Sequence, residues 1–144
     1  MRSQRLARLV RLKKFTEQAR ATELAEQRGE LKTAEGALAA THEAMQAADA
    51  AVPGVVTGTE LLALSEYQEA LVNRAEWQRE VISEQEEAVR LREEAVRSAW
   101  VDRRSMQGIQ ERAVERERAD EARKERMTME ELTLSLRGHR GELK

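Results

Sequence analysis

Apolar residues recur every seven positions in the first third of the chain, at Leu24, Leu31, Leu38, Met45 and Val52. The half-steps between them are Gln27, Ala34, Thr41 and Ala48, all small or polar. An apolar position repeating every seven residues, with a second one between, is a coiled-coil seam, because such a pattern stays on one face of a slightly underwound helix. Leu12, Phe15 and Ala19 form an earlier stripe in another phase. That predicts a phase slip near residues 21–24, where the supercoil changes locally. The pattern as a whole predicts a first helix over about residues 3–50.

A second seam opens with Leu64, Tyr67 and Leu71, continues through Ile82, Val89 and Val96, and closes with Met106, Ile109 and Ala113. Arg74, Gln78, Gln85 and Arg92 interrupt it, so this coil is weak. The pairs Glu86–Arg90, Glu93–Arg97 and Asp120–Lys124 stand four apart and stiffen the helix, at about 0.2–0.5 kcal/mol each. Leu136, Arg137 and Gly138 read as a helix end, with a basic charge followed by glycine. The second helix is therefore expected over about residues 60–137, with a frayed tail over 138–144.

Residues 51–59 separate the two helices and hold the only proline, Pro53, which pushes Val52 out of helical angles. Thr59 followed by Glu60 predicts a cap for the second helix. The expected fold is all-α: one coiled-coil domain over residues 1–144, an antiparallel two-helix hairpin with the longer helix second. The helices would be rods of about 70 and 115 Å at 1.5 Å per residue. Folding about Gly54 would place Ser3 opposite Gln107 and leave the helix beyond Gly108 without a partner.

Composition narrows the class. Ala, Glu, Lys, Leu and Arg make up about three in five residues, a bias typical of long helices. Aromatics are 3% and there is one proline, which argues against a β-rich fold. Cysteine is absent, which excludes disulfides and thiolate chemistry. No apolar run is long enough for a membrane span, and no apolar stretch of a secretory signal follows the basic start. The expectation is a cytoplasmic protein without an integral membrane segment.

Charge is sorted along the chain. Residues 1–14 carry six bases, Arg2, Arg5, Arg8, Arg11, Lys13 and Lys14, and no acid. Acids outnumber bases from Thr16 to Trp100, and the last stretch is nearly balanced. A hairpin would thus have a basic open end and an acidic turn half. The basic end either docks on an acidic surface or is a solvated face that steers encounters.

No catalytic constellation is present. Neither His42 nor His139 has a His, Asp or Glu four residues on, and the Gly54–Gly58 segment lacks the Lys-Ser or Lys-Thr of a phosphate loop. The Glu84, Glu86, Glu87, Glu93 and Glu94 doublets have no dry cleft in which to act as acid and base. No enzyme activity, cofactor or metal is expected. Nucleic acid is not an expected partner, since the acidic middle repels phosphate. Trp77 and Val81 share one helix face and are either an exposed binding anchor or cover for gaps in the polar seam.

The opening RLARLVRLKKFTEQARATELA, the Arg104–Glu111–Arg112 stretch and the acidic pair Glu130–Glu131 before Leu132 give the chain a family likeness. It resembles the flagellar FliJ family and its YscO-type counterparts in virulence type III secretion. The usual acidic pair there is Asp-Glu, whereas this chain has Glu-Glu. The resemblance implies a small cytoplasmic antiparallel coiled coil, peripheral to the inner-membrane export apparatus and similar to the central stalk of rotary ATPases. Its paired termini would enter a hexameric export ATPase, another surface would contact the cytoplasmic domain of the export gate, and export chaperones would be escorted.

On that reading Arg5, Arg8, Arg11, Lys13, Arg112, Glu130 and Glu131 face the ATPase. Trp77 and Val81 face the gate, from the exposure argument alone. A stalk of this kind is expected to be a monomer. A coiled-coil scaffold or adaptor of another cytoplasmic assembly is the alternative, and it would self-associate along the polar gaps in its seam.

Overall fold

The computed structural model describes residues 1–142. Helix α1 spans Arg2–Ala51, a short 3-10 turn spans Val52–Gly54, and helix α2 spans Gly58–Glu142. Among the described residues there is no strand, and the chain is an all-α helical hairpin with the longer helix second.

Pro53 ends α1 as expected, and the turn closes with Val55 N–H donating to the Val52 carbonyl at 3.2 Å. The cap of α2 lies two residues before the expected Thr59. Thr57 Oγ1 accepts from Glu60 N–H at 3.1 Å, while the Glu60 carboxylate accepts from Val56 N–H at 3.2 Å. The reciprocal pairing is of the capping-box type, which satisfies donors that a helix start otherwise leaves open.

The far end also differs from expectation. No glycine has a positive φ among the described residues, so Gly138 lacks the left-handed conformation that stops a helix. Accordingly α2 runs through Gly138 to Glu142 in place of a frayed tail from residue 138, and Leu143 and Lys144 lie outside the described residues.

Contacts divide the chain into two compact units, Gln18–Ser98 and Met1–Glu17 with the chain from Ala99 on. In the first, α1 turns Leu24, Gln27, Leu31, Ala34, Leu38, Thr41, Met45 and Ala48 inward, all buried or half-buried. This is the expected seam. It ends at Met45 and Ala48, because Val52 belongs to the turn and is exposed. From α2, Leu71 and Ala75 are buried, while Gln68, Gln78, Ile82, Gln85, Val89 and Val96 are half-buried.

The glutamines therefore belong to the seam. Gln27 donates to Gln85 across it, whereas Tyr67 and Arg74 are exposed. Cross-helix partners descend on α2 as they climb on α1: Glu23 with Arg92, His42 with Arg79, Asp49 with Gln68. The pairing is antiparallel. On the outer faces Arg90 bridges Glu87 and Glu94, and Arg28 reaches across to Glu93, so the local ion pairs differ from the simple four-residue spacing expected.

In the second unit the seam consists of Ser3, Leu6, Val10, Lys13 and Glu17 against Ala99, Arg103, Met106, Gln110, Ala113 and Glu117. Ser3, Val10 and Glu17 are in heptad phase with Leu24, so there is no phase slip near residue 21. The Leu12–Phe15–Ala19 stripe is exposed, with Phe15 at 68%. Apolarity misleads here because polar residues hold the seam positions and find partners. Arg103 Nε donates to Glu17 at 2.5 Å and its Nη1 donates to Gln107 at 2.8 Å.

Ser3 faces Glu117, not Gln107: its N–H and Oγ donate to the two carboxylate oxygens at 3.0 and 2.5 Å. Asp49 bonds Gln68, so the reversal centres on Gly58 and Thr59, beyond the expected Gly54. A displaced reversal shifts the pairing register by twice as much. Pairing in this unit thus reaches Glu117, and every side chain from Arg118 to Gly141 is exposed.

The Gln78 Oε1 atom is buried without a hydrogen-bond partner. Its desolvation is uncompensated, so Gln78→Leu should stabilise the chain by about 1 kcal/mol. Thermal unfolding followed by circular dichroism checks this; a lower melting temperature for the variant would refute the assignment of Gln78 to the seam.

Candidate functional site

The open end of the hairpin lies in the unit containing both termini. Its first-turn backbone donors on α1 would normally face water. The Glu117 carboxylate supplies an acceptor for one of them from the other helix. Hydrogen bonds donated by the Ser3 hydroxyl and then by the Ser3 N–H hold the Glu117 carboxyl below its ordinary value of 4.5. The result is a polar clasp at the start of α1.

Beside the clasp is an open groove lined by Arg2, Leu6, Ile109, Arg112, Ala113 and Arg116. Arg112 Nε donates to the Gly108 carbonyl at 3.3 Å, which steadies its guanidinium. Gly108 is half-buried inside continuous α2.

Of the expected ATPase-facing residues, Arg5, Arg8 and Arg11 are exposed on α1, whereas Lys13 is half-buried in the seam. Arg112 lines the groove with Arg2. Glu130 and Glu131 are exposed on the unpaired part of α2, about 27 Å along the helix from Arg112 at 1.5 Å per residue. The acidic pair is therefore not brought to the groove. That unpaired part also exposes Met127, Met129, Leu132, Leu134 and Leu136.

Sequence reasoning missed Leu6, Arg116, Ser3 and Glu117, and read Arg2 only as one of the bases of the open end. The four-residue spacing of Arg112 and Arg116 was the available signal for a shared face.

In the Gln18–Ser98 unit, Trp77 is 64% exposed yet lies with Val81 along a groove walled by Thr33, Ala34 and Ala37 of α1. Small residues on α1 leave room for the indole there. His42 is half-buried and bonded to Arg79 at 3.3 Å. Among the described residues no group of three or more His, Cys, Asp or Glu is placed to hold a metal, and no helix is long and apolar enough to cross a membrane.

This arrangement offers binding faces at an open helical end and along an apolar groove, with carboxylates spread over exposed helix. The model of the family described as Flagellar FliJ protein matches residues 1–142. The chain belongs to the flagellar FliJ family. No curated protein and no solved structure matches it. Membership makes this FliJ-family chain a component of the flagellar export apparatus, in a family of non-catalytic export proteins.

The clasp of this FliJ-family chain has a pH signature. A depressed folded-state pKa contributes stability above the ordinary carboxylate range and loses it as pH falls through the folded value. Amide exchange in the first turns of α1 should therefore be slow near about pH 7 and accelerate, beyond its intrinsic pH dependence, towards about pH 3. Glu117→Gln should lose most of that protection at neutral pH and show no acid transition. Identical protection profiles for the two proteins would rule out the clasp.

Proposed function

We propose that this protein is the non-enzymatic central stalk of a flagellar export ATPase. Its open end, with both termini, inserts into the hexameric ATPase ring. The observation that carries this reading is the open end itself: α2 continues past Glu117, and its Met127, Met129, Leu132, Leu134 and Leu136 side chains are exposed. An apolar edge without an intramolecular partner gains stability when a ring wall covers it.

Arg5, Arg8, Arg11 and Arg112 supply positive charge at that end, and Glu130 and Glu131 the negative charge further out. Lys13 contributes to the same contact from the seam edge. Trp77 and Val81 form the contact with the cytoplasmic domain of the export gate, because an exposed indole above a small-residue groove is a ready anchor. The protein also escorts export chaperones. It works as a monomer in the cytoplasm, at the periphery of the inner-membrane export apparatus.

Titration of the full chain into the flagellar export ATPase should raise ATP turnover and hexamer formation. The triple variant Arg5→Glu, Arg8→Glu, Arg11→Glu should bind at least about tenfold more weakly, with a reduced salt dependence. Absence of both binding and stimulation by the unaltered chain would overturn the stalk reading. A tight dimer in light scattering, with no ATPase binding, would favour the scaffold alternative.

A further inference from the structure

The groove beside the clasp has a chemistry of its own. Arg2 comes from α1, Arg112 and Arg116 come from α2, and all three border Leu6, Ile109 and Ala113. No carboxylate lines the groove. None of the three arginines forms a salt bridge among the described residues. Glu111, Glu115 and Glu117 flank the arginines along α2, but none of them lines the groove, and Glu117 is turned to Ser3.

Like charges one helical turn apart repel, so Arg112 and Arg116 gain from an anion between them. The bond from Arg112 Nε to Gly108 holds one guanidinium in place and leaves its two terminal nitrogens for a ligand. A guanidinium presents parallel donors that match a carboxylate.

The apolar residues decide which anion fits. Free phosphate would use the arginines and leave Leu6 and Ile109 without a function. A carboxylate next to an aliphatic side chain uses both. We infer that this groove is a recognition site for a protein segment that places Asp or Glu beside a leucine-like residue. Arg2, Arg112 and Arg116 hold the carboxylates, and Leu6, Ile109 and Ala113 receive the aliphatic group. This deepens the stalk reading and rests on it for one point only, that the segment belongs to the ATPase.

The chain contains two isoleucines, Ile82 and Ile109, one in each compact unit. Methyl labelling of isoleucine therefore gives a reporter in the groove and an internal control away from it. The full chain is titrated with acetyl-Leu-Glu-Glu-Leu-amide, with the Gln-for-Glu analogue and with inorganic phosphate. The acidic peptide should shift the Ile109 methyl signal saturably and leave Ile82 in place. The Gln analogue and phosphate should each bind at least tenfold more weakly.

Arg112→Gln with Arg116→Gln should abolish the Ile109 response, while Arg118→Gln with Arg126→Gln, on the same helix outside the groove, should preserve it. An unchanged Ile82 signal shows that the variants are folded. Equal responses to phosphate and peptide, parallel shifts of both isoleucines, or no shift at all would overturn the inference. Binding of the same variants to the export ATPase is measured separately. A saturable peptide response without ATPase binding would leave the groove standing and reject the stalk reading; ATPase binding unaffected by the Arg112/Arg116 pair would leave the stalk reading standing and overturn the assignment of the segment to the ATPase.

Discussion

Two helices in a hairpin approach as closely as the side chains between them permit, and here those side chains are small. Of the buried apolar residues, Ala48, Ala75, Ala99 and Ala113 outnumber Val10, Leu24 and Leu71. Alanine allows a close approach but contributes little apolar area, so burial alone holds each unit weakly. Register must then be set by pairs with a single solution. Ser3–Glu117, Glu17–Arg103 and Gln27–Gln85 are such pairs, because each polar group loses its partner if one helix slips.

The polar register has a functional consequence. It joins Glu117 to the start of α1, and so determines where the exposed stretch of α2 begins, at Arg118. It also brings Arg2 alongside Arg112 and Arg116. A register with Ser3 at Gln107 would have placed other residues around the groove. The same interaction that closes the α1 end thus exposes the apolar edge of α2 and assembles the cationic groove.

The helical class, the break at Pro53 and the Leu24-to-Met45 seam were legible in the sequence, since each depends on local spacing or on a proline that cannot continue a helix. The seam over the first seventeen residues was not. Leu12 and Phe15 read as core by their apolarity, but the structure exposes them and turns Lys13 and Glu17 inward. Whether a charged residue is a seam member depends on a partner more than eighty residues away, as with Glu17 and Arg103. The register was hidden for a similar reason: it follows from the cap at Thr57 and the pairing of Asp49 with Gln68. Of the expected site, Arg112 was found from a motif, whereas Arg2 and Arg116 required the register that brings them together.

On the proposed stalk function, the export ATPase binds at the open end and not on the Gln18–Ser98 unit. Hydrogen exchange of the full chain, free and with the assembled ATPase hexamer, tests this most directly. Exchange should be fast over residues 118–142 in the free chain, with strong protection there and over residues 2–12 on binding, and little change within residues 18–98. Protection gained only within 18–98, with 118–142 still exchanging freely, would contradict it.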